Sequence, residues 1–376
     1  RASEMVAHAY RTVPFYNDAM KKLGLRPHDF RTVADLAQLP VINGQDLADE
    51  PRRFLSSAYA EKTLLELATS GSSGHSKRIW WNKSALFRAH AAGLRYREVL
   101  AAFVGSQRAF KLLRVSRSGG TGDEVSHFHR QHSWVPGWAN PANARVSPAE
   151  PFEQAVKIIN QQRPDVIGGF AAYIGAIYRW AWAGGHEIWR PKVIRHGGEQ
   201  LLEHDRRLLE SEFGIPLINS YQACEALRIA FQCEHSPGMH ISVDQTDVRI
   251  ADATGATLPA GTSGHVLISN LVNRATVLLN YDLGDLGALS ASPCPCGRTL
   301  PVLERLEGRA DDLLMLANGE VAHSSEVLSA LYGVAGVIRI QIIQSSPEKL
   351  LIKVVRDGKH QWSTMKNAMS KALCTA

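Results

Sequence analysis

Thr69-Ser70-Gly71-Ser72-Ser73-Gly74-His75-Ser76-Lys77 is a run of small hydroxyl residues and glycines closed by a lysine. Backbone N–H groups and hydroxyls on such a loop suit phosphate oxygens; glycine admits close approach, and Lys77 adds positive charge. The spacing is not that of a Walker A loop, GxxxxGK[ST]. The run lies between LLELA and RIWW, two predicted strands, so a tight functional turn is favoured over a flexible linker. A second run, Asn219-Ser220-Tyr221-Gln222-Ala223-Cys224-Glu225, follows the predicted strand IPLIN. That places it at the carboxyl end of a sheet strand, where open α/β sheets bind ligands; the plainer alternative is a helix cap with Glu225 exposed. In Tyr281-Asp282-Leu283-Gly284-Asp285 the final carboxylate can take two hydrogen-bond donors at once, or simply mark a surface turn.

Cys233-x6-His240 and Cys294-x-Cys296 supply three soft thiolates and an imidazole, a donor set for tetrahedral zinc. CPCG is tighter than the usual CxxC, His235 is a competing ligand, and unrelated cysteines are the bland alternative. The expected metal is structural, with no open position. Five cysteines, an odd number, are too few for a disulfide scaffold in 376 residues. They point to a reducing, cytoplasmic compartment.

These residues need elements to hold them. Strand and helix signals alternate over the first two thirds of the chain. A helix over PAEPFEQAVKIINQQ, capped by Ser147, leads to the strand DVIGGF; PKVIRHGGE reads as strand and turn, QLLEHDRRLLESEF as an amphipathic helix, and IPLINSY as a strand. This rhythm predicts an α/β class, with a mostly parallel sheet flanked by helices. After about residue 240 the pattern changes to strands broken by DATG and PAGTSG, which predicts a small β-barrel-like subdomain. VIRIQIIQ and KLLIKVV then begin a small α+β segment. The apolar stretch from Val166 to Gly185 contains Arg179 and several glycines, so it reads as a buried strand and core helix rather than a membrane span. The net charge of +6 is scattered, without the aromatic interleaving of a nucleic-acid groove. The opening RASEMVAHAYRT lacks an initiator Met and a signal-peptide core, so a trimmed start is expected.

The loop at 69–77 matches [ST]SG[ST][ST]GxxK, the signature of the adenylate-forming superfamily. The chain resembles its phenylacetate–CoA ligase-like branch, to which YRTVPFYNDAMKKLGL and DLAQLPVINGQDL are also similar. Ser76 stands where the family usually has Pro. The resemblance implies that Thr69, Ser70, Gly71, Ser72, Ser73, Gly74 and Lys77 hold the ATP β- and γ-phosphates. The run at 219–225 resembles YGxTE, which implies that Tyr221 stacks near adenine, with Asn219 and Ser220 beside it, and that Glu225 binds magnesium. Gln222 and Cys224 replace the usual Gly and Thr. Gly197-Gly198-Glu199 resembles the GGE turn near the acyl and adenine pocket. Asp285 ends an element similar to YRTGD and implies hydrogen bonds to both ribose hydroxyls; Asp282 stands where many members have Arg. Gly308-Arg309-Ala310-Asp311-Asp312 resembles the hinge GRxDD, with Arg309 on ribose or phosphate and Asp311 as pivot. Some members of the branch carry a comparable Cys/His site.

By family position, Phe170, Tyr173, His196 and Gly197 line the acyl pocket and suit a flat aromatic acid, with core packing the alternative for the aromatics. Residues 1–309 are expected to form the large ATP- and acyl-binding domain, and 310–376 an incomplete small domain. None of Lys353, Lys359, Lys366 or Lys371 stands in the GKxxR-like setting that normally ends the family's small domain. The implied activity is ATP-dependent conversion of an acid, aryl or small acyl, to acyl-AMP, followed by transfer to CoA. Transfer to a carrier protein or an amine, and a nucleotide-binding scaffold without turnover, stay open. The implied partners are a small carboxylic acid, ATP with magnesium, and CoA or a carrier protein, with no nucleic acid and no membrane; a homodimer stays open.

Overall fold

The computed structural model describes residues 1–68, 77–106, 110–132, 142–316, 318–319 and 321–374. The chain folds into two compact units that do not follow chain order. One comprises Arg1–Gln107, Ser118–Asn140 and Asn219–Glu307; the other comprises Arg108–Arg117, Pro141–Ile218 and Gly308–Ala376. The chain re-enters the second unit at Gly308.

In the second unit the strands Leu112–Val115, Ala142–Val146, Val166–Phe170 and Val193–Gly197 form a parallel sheet. Val166–Phe170 is apolar throughout, as expected for a strand covered on both faces, while Arg114, Asn143, Arg145 and Arg195 interrupt the other three. Leu113, Val115, Ile167 and Ile194 pack with Ile174, Tyr178 and Leu209 into one core. The predicted strand and core helix are present as Val166–Phe170 and Ala171–Gly184. Gly169 has φ +151°, and a Cβ there would stand 1.9 Å from the Val115 carbonyl oxygen, so only glycine fits. The helix Phe152–Gln162 begins later than expected, and Ser147 does not cap it. Pro151 drives Glu150 away from helical geometry, and Ser147 instead accepts the Ala149 N–H in a turn. Buried Asp205 on the helix Glu203–Arg207 pairs with Arg179, whose guanidinium lies 4.1 Å over Tyr332. The later segment builds a hairpin, Val337–Ser346 with Lys349–Arg356, against two helices through Leu331, Val337, Met365 and Met369.

In the first unit the strand order is Thr246–Ala251, Gly264–Asn270, Tyr281–Leu289, Val302–Arg309, Ser236–Ile241, Ala230–Cys233 and Leu217–Tyr221. The pairings recorded along this run are antiparallel. The strands after residue 240 lie in this open run, with Thr246–Ala251 at its end. A separate antiparallel pair, Leu65–Ala68 with Arg78–Trp81, brackets the Gly/Ser-rich loop. The core gathers Tyr16, Trp81, Ile229, Ile268 and Tyr281. No helix among the described residues is long and apolar enough to cross a membrane.

Candidate functional site

Lys77 stands at the entry to the strand Arg78–Trp81, Glu225 follows the strand Leu217–Tyr221, and Tyr281 opens the strand Tyr281–Leu289. Together they close a triangle. Lys77 Nζ donates to Glu225 Oε1 at 2.6 Å and lies 3.2 Å from the Tyr281 hydroxyl, which is 3.1 Å from the same carboxylate oxygen. Glu225 is 3% exposed, so it is not the tip of an exposed helix cap. Its backbone is pinned from two sides: Asn270 Nδ2 donates to the Glu225 carbonyl and Trp81 Nε1 to that of Cys224. Leu227, at φ +58°, turns the chain sharply back toward the next strand.

Asp285 sits on a strand, not on a surface turn. Leu267 pairs with Asp282 and His265 with Leu286, so one strand advances two residues while the other advances four. The extra residues form a bulge at Gly284, φ +76°. The bulge aims the Asp285 carboxylate at the Tyr221 hydroxyl, which donates to it. Asp282 pairs with His265 Nδ1 at 3.1 Å and accepts the Gly284 N–H at 2.7 Å, so it braces the same bulge. Asn219 donates its N–H to Gln232 Oε1, and Ser220 Oγ accepts from the Gln222 amide. The structure thus gathers Lys77, Glu225, Tyr221 and Asp285 into one unit. The role of Tyr281 as the link between Lys77 and Glu225 was not assigned from sequence; its place at the head of the Asp285 motif was the available signal. Thr69, Ser70, Gly71, Ser72, Ser73 and Gly74 lie outside the described residues.

In the second unit, Phe170, His196 and Gly197 sit on two neighbouring strands, Tyr173 on the helix between them, and Gly198 and Glu199 just after the second strand. Gly198 has φ +76°, and a Cβ there would rest 3.7 Å from the Phe170 ring. Glu199 accepts the Ala172 N–H at 3.3 Å, a carboxylate at a helix N-terminus. Tyr173 is largely buried against Phe152 and donates its hydroxyl to the Glu150 carbonyl at 2.7 Å. His196 is 2% exposed, and burial, reinforced by the charge of Arg206, holds it down to about 3. An unfolded chain therefore takes up this proton below 6.5 while the folded one does not until about 3. Stability from this group is complete above 6.5 and is lost on acidification toward 3, at up to about 1.4 kcal/mol per pH unit. Denaturant titrations between pH 4 and 6 should show a shallower pH slope for His196→Leu than for the parent; identical slopes would refute a neutral buried imidazole. Arg309 and Asp311 lie 3.8 Å apart at the short turn Ala310–Asp312, and Asp311 is exposed.

The four zinc candidates converge within the first unit. The Cys233, Cys294 and Cys296 sulfurs and a His240 ring nitrogen all lie within 4.8 Å of one another. Cys233 and Cys294 sulfurs are 3.7 Å apart, and Cys296 Sγ is 3.3 Å from His240 Nε2. A disulfide needs about 2.05 Å, whereas a tetrahedral zinc with bonds of about 2.3 Å holds two thiolates about 3.8 Å apart. Burial pushes the Cys233 thiol up to about 11, so its thiolate needs a nearby cation. Burial also lowers His240, keeping it in the neutral, ligating form. Arg298 is clamped by both Glu234 oxygens and donates its N–H toward Cys296, an outer layer that orients the ligands. His235 is turned toward Glu234 at the surface and is not among the four.

No family profile matches the chain. It is 26% identical to the phenylacetate-coenzyme A ligase of Thermus thermophilus over 347 residues, spanning 90% of this chain and 75% of that protein. It is equally 26% identical to the enzyme of that name from Escherichia coli, over 82% of this chain and 69% of the relative. Among solved structures, its fold is similar to 2-hydroxyisobutyryl-CoA ligase in complex with 2-HIB-AMP. The TM-score is 0.80 at 18% identity, over 100% of this chain and 82% of that one. It is also similar to the anthranilate CoA ligase AuaEII with anthranoyl-AMP, at a TM-score of 0.58 and 15% identity, over 93% and 69% of the two chains. The chain is thus similar in sequence to phenylacetate-coenzyme A ligases and in fold to adenylate-forming CoA ligases.

Proposed function

We propose that this protein activates a small carboxylic acid with ATP and passes the acyl group to CoA. The observation that carries the reading is the Lys77–Glu225–Tyr281 triangle beside the Tyr221–Asp285 pair. A buried ion pair gains little net stability, because desolvating both charges offsets their attraction. Holding one between two strand ends makes physical sense where a charged ligand later divides the partners. Lys77 then meets phosphate oxygens, assisted by the loop 69–76, and Glu225 meets the magnesium that accompanies them. The carboxylate of the acid attacks the α-phosphorus, the P–O bond to pyrophosphate breaks, and acyl-AMP forms. CoA thiolate then attacks the acyl carbon and AMP leaves. The protein's contribution is positioning and charge neutralisation. Arg309 serves ribose or phosphate, Asp311 the hinge, and Gly197, Gly198 and Glu199 the acyl and adenine side, with Phe170 and His196 nearby. Tyr173, already bonded to Glu150, serves the pocket wall.

Cys233, His240, Cys294 and Cys296 hold a structural zinc whose chemistry is to crosslink neighbouring strands. The first test of the whole reading is ATP–pyrophosphate exchange over a panel of small aliphatic and aromatic acids, followed by thioester formation with CoA. Exchange with no acid would overturn it.

Asp285 gives a sharper check. Asp285→Ala should raise KM for ATP through lost hydrogen bonds to the ribose hydroxyls. The parent should favour ATP over its 2′-deoxy form, and the variant should treat the two nearly alike. An unchanged preference would reject the role.

A further inference from the structure

Both hydrogen bonds to the Glu225 side chain land on the same oxygen. Lys77 Nζ and the Tyr281 hydroxyl each donate to Oε1, and among the described residues no hydrogen bond reaches Oε2. The direction of each bond is fixed by chemistry. An ammonium only donates, an ionised carboxylate only accepts, and a phenol does both. The Tyr281 hydroxyl therefore accepts from Lys77 at 3.2 Å and donates to Glu225 at 3.1 Å.

The three corners differ in how firmly they are held. Asn280, at φ +56°, turns the chain into the strand Tyr281–Leu289. Asparagine tolerates that left-handed conformation better than most residues. Its Nδ2 donates to the Leu39 carbonyl at 2.7 Å, and its N–H to Ser269 Oγ at 3.0 Å. Tyr281 then pairs with Ile268 on the neighbouring strand and bridges to Ile42. Its side chain is fully buried. The Glu225 backbone is pinned through its carbonyl by Asn270. Lys77 ends a flexible four-carbon stem, and its side chain is 16% exposed against 4% for Glu225. Lys77 is thus the movable corner, and Tyr281 and Glu225 are the fixed side. If a phosphate draws Lys77 away, a buried carboxylate with no second donor would lose its only partner. Tyr281 supplies that second donor, and it does so on Oε1 alone.

We infer that Tyr281 is a positioning residue for the metal: its hydroxyl keeps Oε1 of Glu225 in place when Lys77 leaves for phosphate, so that Oε2 is the oxygen offered to magnesium. This rests on the adenylation reading above and adds a residue to it. The test compares the full-length parent, Tyr281→Phe, Glu225→Gln and the double variant, each checked for folding by its unfolding curve. Calorimetric titration of ATP at a series of magnesium concentrations gives a magnesium midpoint for binding, without turnover. Pyrophosphate exchange gives KM and kcat for the magnesium–ATP complex.

Tyr281→Phe should raise the magnesium midpoint and KM by about 10-fold, the scale of one lost hydrogen bond to a charged group, with a smaller fall in kcat. Placed on Glu225→Gln it should add little, because Tyr281 acts through that carboxylate; independent effects would simply add. The preference for ATP over its 2′-deoxy form should persist. An unchanged midpoint in Tyr281→Phe, or the same further rise on top of Glu225→Gln, overturns the inference and leaves the adenylation reading standing. A crystal structure of the parent with magnesium and α,β-methylene-ATP tests the same point without a variant. There the hydroxyl should still reach Oε1, and a Tyr281 turned away from Glu225 overturns the inference. No exchange with any acid, but a midpoint shifted by Tyr281→Phe, overturns the adenylation reading and keeps the positioning role. No magnesium-dependent ATP binding by the parent overturns both.

Discussion

Glu225→Ala should lower magnesium-dependent pyrophosphate exchange by about 100-fold or more, the scale seen when one aimed charge-stabilising group is removed. The geometry complicates the plain alanine variant. Glu225 Oε1 receives both Lys77 Nζ and the Tyr281 hydroxyl, so its removal strands a largely buried ammonium. Breaking one side of a buried ion pair costs about 3–5 kcal/mol. Part of any loss could therefore be lost fold. Glu225→Gln keeps the shape and an acceptor oxygen while removing the charge that magnesium needs. Both variants should be compared at matched folded fractions, across a magnesium titration. The expected result is a lower maximal rate with a weaker response to magnesium in both. Full exchange by a folded Glu225→Gln protein would sink the assignment.

The second large effect concerns metal. One zinc per chain is expected at Cys233, His240, Cys294 and Cys296, with no position left for water. Structural zinc contributes about 10–16 kcal/mol of apparent binding free energy at neutral pH, much of it linked to local folding. Chelation, or Cys296→Ser, should lower the melting temperature markedly, while the preference of ATP over its 2′-deoxy form persists in the protein that remains folded. Zinc near zero by elemental analysis would rule the site out. A water on the metal beside the phosphates would also overturn the structural assignment, since an open position is what catalytic zinc requires.

Much of the site was legible in sequence because short motifs carry local backbone geometry with them. The strand IPLIN dictates where Tyr221 and Glu225 emerge, and the strand Leu217–Tyr221 is where it was expected. Cys233, His240, Cys294 and Cys296 were legible through donor chemistry; spacing alone could not choose between His235 and His240. That choice depends on pairing between strands, with His240 opposite Phe231 and Val302. The start of the helix at Phe152 was misplaced because the Ser147 cap signal competes with Pro151, and the proline prevails. The dispersed make-up of the two units was also out of reach. Strand alternation announces a parallel sheet, but not which later segment returns to it.

The bulge around Gly284 has a consequence for how the chain finds its pairing. A regular antiparallel strand can slide by two residues and keep the same faces buried, so slipped pairings are close competitors during folding. Here the partner strand advances two residues while Tyr281–Leu289 advances four, and Asp282 ties the extra residues down through His265 and the Gly284 N–H. A slipped ladder would place that irregularity opposite the wrong residues and leave both anchors unmade. The device that points Asp285 at Tyr221 thus also serves as an alignment key, telling correct from shifted pairing before any ligand arrives. Deleting one residue between Leu283 and Asp285 should then produce misregistered, aggregation-prone chains rather than a folded protein with a weakened nucleotide site.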